Sequence, residues 1–306
     1  MGPPRSPVDA HCRWDVDDAG SGLQRAAATL QAELLEQAAR QVVGTSPASQ
    51  RELSDALDEA SLRGRLALDS PAVRAAVLSE TLPGASGFLT AIPSKAMKPS
   101  MEPAEFRSEV QCRLAAEVFQ EEGYCPLGDS VLDVHGFHCS VCTCGGDKSA
   151  AQHAARNLTY FYAASAGCRP DLERAAVDLA ITSPQRQAAL QRASEVAGSA
   201  AQLYEDYWRT DLNTEAQCSQ QGIAFVPMVA ERSGGWGASG IQVLQQLARK
   251  AQARDGKAAS LHMQEYLEGL NVAVRRANAQ AVLKRAPGTA TVAPGAADAA
   301  RALLHS

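Results

Sequence analysis

The chain has 306 residues, enough for one large domain or two ordinary ones, and it is 45% hydrophobic but only 5% aromatic. A core filled mainly by Ala, Leu and Val suits closely packed helices better than a β-sandwich. The formal net charge of -5 excludes a molecule-wide positive field, so any contact with DNA or RNA must be local. No apolar run approaches the about 20 residues that cross a bilayer, and no membrane partner is expected.

In chain order, residues 1–22 combine Pro, Gly and Asp without apolar periodicity and are expected to be disordered. Their acidic, polar character fits neither a secretion signal nor a transit peptide, so an intracellular, reducing setting in nucleus or cytoplasm is expected. From Leu23 to Val42 apolar residues recur at helical spacing until Gly44 and Pro47. Further helices are predicted from Ser49 to about Leu68, and from Ser70, with Pro71 in the first turn, to Ser79. Together these make a helical region over 23–80.

Residues 81–120 read as a Gly/Pro-rich connector and then a helix opened by Pro103, with Phe106, Val110, Leu114 and Val118 on one face. A Cys/His segment covers 121–147. Lys148 to Ala166 is again helical, stopped by Gly167. The stretch from Val177 to Pro184 and that from Gly222 to Glu231 read as strands, and Gln185 to about Asp211 between them as one long helix, giving a βαβ unit. Helices are predicted over Ala238–Ala253 and Ala258–Arg285, and residues 286–306 form a low-complexity tail. The fold class expected is α+β, mainly helical, with a small knuckle-like segment and a minimal βαβ core.

Four of the eight cysteines, Cys125, Cys139, Cys142 and Cys144, fall within twenty residues. In a reducing compartment such clustering points to metal rather than disulfides, and thiolates with imidazole suit zinc, which takes about four ligands in a tetrahedron. Cys125, His138 and Cys142 have the spacing of three members of a C-x2-C, H, C knuckle. Gly128 stands where the second cysteine would be, so the fourth ligand is to come from Cys139, Cys144, His135 or water.

CPLG, GFHCSVCTCGGDKSAAQHAARN, VDLAITSP and GIAFVPMVAERSGGWG, in this order, resemble the region that follows the reverse transcriptase in proteins of non-LTR retrotransposons. FLTAIPS, at Phe88 to Ser94, looks like the short motif that precedes the knuckle there. The resemblance spans about Gly87 to Arg285. It implies a nucleic-acid-binding zinc knuckle, an RHN-like helix in which His153 matches the histidine, and a restriction-like endonuclease segment over 148–285.

The departures set the expected activity. The sequence contains no YxDD-type motif of a polymerase. A restriction-like nuclease holds Mg²⁺ between two carboxylates on paired strands, assisted by a lysine or its substitute. Asp178 matches the second carboxylate, but Ala180 stands where the lysine or threonine would be. Pro170 and Asp171 spell PD, yet only six residues separate Asp171 from Asp178, too few for a strand, a turn and a second strand.

The expected molecule is therefore a retroelement-derived fragment that binds zinc and, weakly, nucleic acid, without polymerase and without nuclease activity. The alternatives are a Mg²⁺-dependent endonuclease built on Asp178 with Glu231 or another acid, and a helical scaffold whose cysteines bind nothing. Between Arg249 and Arg285 eight Lys or Arg oppose three acids, and Lys250, Arg275 and Arg276 are candidate phosphate contacts or simply a solvated face. Trp236 in SGGWG is either a base-stacking side chain or a core anchor.

Overall fold

The structure, a computed structural model, describes residues 50–68, 70–92, 100–168 and 175–286. The predicted helix from Leu23 to Val42, the terminal segments 1–22 and 287–306, and the Pro170–Asp171 pair lie outside the described residues. The chain divides into two units between Leu68 and Asp69. In the first, helix α1 (Gln50–Leu68) carries i,i+4 ion pairs between Arg51 and Asp55 and between Glu59 and Arg63.

The second unit is α+β and mainly helical. Helix α2 (Pro71–Ser79) starts where predicted: the Ser70 side chain accepts a hydrogen bond from Val73 N at 3.4 Å, and Pro71 occupies the first turn, where its missing N–H costs nothing. The connector after it contains a short helix, α3 (Gly87–Thr90). Its backbone lies so near the last helix that a Cβ on Gly87 would meet Glu268 Cα at 3.0 Å, and Phe88 N donates to Asn271 Oδ1 at 2.8 Å.

Helix α4 (Pro103–Arg113) is shorter than predicted and faces the other way. Glu105, Ser108 and Glu109 are buried, while Phe106 and Leu114 are exposed. Charge pairing overrides the apolar stripe here. Glu109 meets Arg275 at 3.2 Å, Glu105 meets Arg276 at 3.3 Å, and Arg275 also reaches Glu80 at 2.5 Å.

After the small hairpin of β1 (Gly123–Tyr124) and β2 (Val131–Leu132) come α5 (Phe137–Val141) and α6 (Asp147–Ser165), which ends before the left-handed Gly167, φ +81°. Strands β3 (Ala175–Thr182) and β4 (Ala224–Glu231) pair in parallel, from Ala175 opposite Ala224 to Thr182 opposite Glu231. The crossover is not one long helix. It breaks into α7 (Gln187–Ala193), α8 (Ser199–Asp206), a π-helical turn (Tyr207–Asp211) and α9 (Thr214–Gln220), with left-handed backbone at Gly198 and Asn213 immediately before α8 and α9.

Helices α10 (Ala238–Asp255) and α11 (Ala259–Leu283) complete the layers. On one face of the sheet Leu179, Ile181, Met228 and Ala230 pack on Tyr162 of α6, Leu244 of α10 and Leu270 of α11. On the other, Ala180 and Val229 meet Ala201 of α8 and Trp208. A two-stranded sheet is marginal alone. Here each buried aliphatic side chain contributes about 1.5–3 kcal/mol, and helices cover both faces. Trp236 is 1% exposed within this core and is an anchor, out of reach of a nucleic-acid base. Among the described residues no helix is long and apolar enough to cross a membrane.

Candidate metal centre

Two local devices build the Cys/His site. In the first, the β1–β2 hairpin is extended by Cys125 N donating to Ser130 O at 2.9 Å, and Gly128 N donates to Cys125 O at 3.2 Å, closing a turn over CPLG. Pro126 holds the second turn position, which its fixed φ suits. In the second, both Asp133 carboxylate oxygens accept from backbone amides opening α5, Phe137 N at 2.9 Å and His138 N at 2.7 Å, while Gly136 takes a left-handed φ of +69°. These turns bring Cys125 to face His138 and Cys142.

The ligand atoms of Cys125, His138 and Cys142 all lie within 4.8 Å of one another. The two Sγ atoms are 4.0 Å apart, close to the about 3.8 Å expected of two thiolates 2.3 Å from one tetrahedral zinc. Both cysteines are buried, and His138 Nε2 is buried without a hydrogen-bond partner. Burial, with Arg285 nearby, lowers the His138 pKa against the pull of Asp133, which favours the neutral imidazole that ligates. An orphaned ring nitrogen facing two thiols is what a metal would satisfy.

A second layer surrounds these groups. Arg285, 2% exposed, donates to Asp147 Oδ2 at 2.8 Å, to Ala281 O at 2.7 Å and to Cys144 O at 3.0 Å. Burial works against its charge, but Asp147 and the two sulfurs outweigh that and hold the guanidinium protonated. Arg232 Nη1 donates to Gly136 O, and Ser140 Oγ pairs with Ser183 Oγ at 2.8 Å, fastening the site to the C-terminal ends of β3 and β4.

Of the other candidate ligands, Cys139 points elsewhere. Its thiol packs with Phe119, Leu132, Ala281 and Val282, and burial pushes its pKa up to about 12, so it is a core thiol rather than a ligand. His135 sits against the Phe137 ring, 5.3 Å between centroids. Cys144 is exposed beside the cluster.

The nuclease expectation of two acids sharing a metal does not match the structure. Asp178 and Glu231 lie on the same sheet face, but Glu231 pairs with Thr182, four positions further on, about 13 Å away. Glu231 is 1% exposed and accepts from Ala201 N at 3.2 Å. Burial raises the carboxyl pKa of both acids. Asp178 belongs to no group of three or more possible metal ligands among the described residues.

The candidate phosphate contacts also separate. Arg275 is 2% exposed and occupied by Glu80 and Glu109, so it is a core ion pair and not a nucleic-acid contact. Arg276, partly exposed, pairs with Glu105. His153 and Arg156 are exposed on α6, and Arg249 and Lys250 are exposed on α10. Between these helices and the sheet lies a cavity of about 440 Å³ with Arg156 and Lys250 in its lining and an apolar floor including Val177, Leu179 and Val226. Comparison of the chain with protein-family models, with curated proteins and with solved structures gave no match.

Proposed function

We propose that the chain binds zinc at Cys125, His138 and Cys142 in a structural site, and that it is a retroelement-derived fragment that binds nucleic acid weakly without polymerase or nuclease activity. The observation that carries the zinc assignment is the convergence of two buried thiols and an unpartnered imidazole nitrogen within 4.8 Å, held by two independent turns. Zinc there would hold the hairpin to α5, and in isolated finger peptides such binding supplies on the order of 10 kcal/mol toward folding. The ordered series of motifs from FLTAIPS to SGGWG supports the origin. The exposed cations of α6 and α10 support a local, salt-sensitive contact with phosphates.

Fluorescence anisotropy with labelled single-stranded and duplex DNA and RNA, on zinc-loaded and chelator-treated chain, tests the reading. Binding that weakens with salt and needs zinc is the expected result. Equal anisotropy with and without protein at low salt contradicts the nucleic-acid part, and Mg²⁺-dependent cleavage of the probe contradicts the absence of nuclease activity.

A further inference from the structure

We propose that Cys144 supplies the fourth ligand of this site, standing in for the cysteine that position 128 lacks. The inference rests on the zinc reading above and adds one residue to it.

Gly128 closes the CPLG turn that begins at Cys125. A side chain at that position would therefore project from the same turn as the Cys125 thiol. A Cβ built on Gly128 would lie 3.2 Å from Cys144 Sγ and 3.8 Å from Cys144 Cβ. The space that a residue-128 side chain would fill is thus already taken by a thiol from elsewhere in the chain.

The segment that brings Cys144 there is fixed on both sides. Cys144 O accepts from Arg285 Nη2 at 3.0 Å, and Cys142 Sγ lies 3.8 Å from the same oxygen. Gly145 and Gly146 follow with φ of +86° and +71°, conformations that β-carbon-bearing residues rarely adopt. A Cβ on Gly145 would meet Leu127 Cδ1 at 2.7 Å, so the TCGG turn lies directly against the CPLG turn. Cys144 Sγ is outside the group of atoms mutually within 4.8 Å. The proposal requires this exposed side chain to turn about χ1 toward the other three ligand atoms on metal binding. The completed set is three thiolates and one imidazole, a closed structural combination rather than an open site with water.

Gly128 is not one of the left-handed glycines, so its backbone accepts a cysteine. This permits a ligand-transfer experiment on the full chain under reducing conditions. Cobalt(II) replaces zinc, and thiolate-to-cobalt charge-transfer absorbance is read for wild type, Cys144→Ser, Cys139→Ser and the double variant Gly128→Cys/Cys144→Ser. Zinc affinity is measured in parallel by competition with a chromophoric chelator.

The proposal expects the charge-transfer band to fall to about two-thirds in Cys144→Ser, as one of three thiolates is lost, and zinc affinity to fall at least tenfold, the lower end of what even an outer-layer partner contributes. Cys139→Ser should match wild type, and the double variant should regain both signals. Wild type that binds metal while Cys144→Ser leaves spectrum and affinity unchanged overturns the role of Cys144 and spares the three-ligand site. A double variant that exceeds wild type by one thiolate overturns it too, because position 128 would then have been a vacant ligand position. Wild type that takes up no metal overturns both.

Discussion

Cys125 Sγ and Cys142 Sγ stand 4.0 Å apart across seventeen residues of chain, both buried, with the unpartnered Nε2 of His138 beside them. The hairpin and the Asp133-capped turn set this spacing locally, and Arg232 and the Ser140–Ser183 bond tie the finished site to the ends of β3 and β4. Removal of metal should therefore loosen the knuckle locally. On chelation, the amides of Cys125, Gly128 and Cys142 should exchange faster with solvent by hydrogen-exchange mass spectrometry, while those of Leu179 and Val229 keep their protection. Uniform loss of protection across both regions would contradict a local role.

Arg275 and Glu109 form an ion pair whose side chains are only 2% and 0% exposed. Arg275→Ala leaves the buried Glu109 without its ion-pair partner, while Glu80 keeps Arg113, and should lower stability by about 3–5 kcal/mol in urea unfolding. Its salt-dependent nucleic-acid affinity, measured where the variant is still folded, should be unchanged. A nearly neutral stability effect would mean that the charges are reached by water.

The element starts and stops that the sequence predicts correctly depend on local chemistry. The Ser70–Pro71 start and the Gly167 stop each need only a few neighbouring residues, and the run from Ala224 to Glu231 has a strand's length and composition. The face of α4 was not legible, because Glu105 and Glu109 turn inward only when Arg275 and Arg276, about 170 residues away, arrive to pair with them. The crossover reads as one helix in the sequence because its breaks at Gly198 and Asn213 fall within otherwise helical composition. At the site, spacing picks out Cys125, His138 and Cys142, whose ligand atoms the fold brings within 4.8 Å of one another. It could not separate Cys139 from Cys144, since that depends on which way each thiol leaves the backbone, and Cys139 leaves it toward Phe119 and Val282.

Glu231 makes a pH prediction. Its burial raises the carboxyl above its ordinary range despite the hydrogen bond from Ala201 N. In the window between the ordinary and the raised value the folded state binds more protons than the unfolded one, so this group's contribution to stability declines as pH rises through that window. Glu231→Gln should flatten that slope in urea titrations carried upward in pH from the ordinary carboxyl range. An unchanged slope would assign the dependence to another buried acid such as Glu205, whose carboxyl is also raised by burial.

Lys250 is exposed on α10 and lines the cavity beside α6. If it meets phosphate, Lys250→Gln should weaken binding similarly for different sequences and reduce the slope of log affinity against log salt by about one. A variant with wild-type affinity and slope would remove this face from the nucleic-acid surface.

The central claim is that Cys125, His138 and Cys142 hold zinc, and metal content of the full chain tests it most directly. Chain purified without chelators and analysed by elemental mass spectrometry should carry about one zinc, and Cys142→Ser prepared in parallel should carry far less. Folded wild type that contains no zinc and takes none up on titration would contradict the account, leaving a mainly helical α+β protein whose clustered thiols bind nothing.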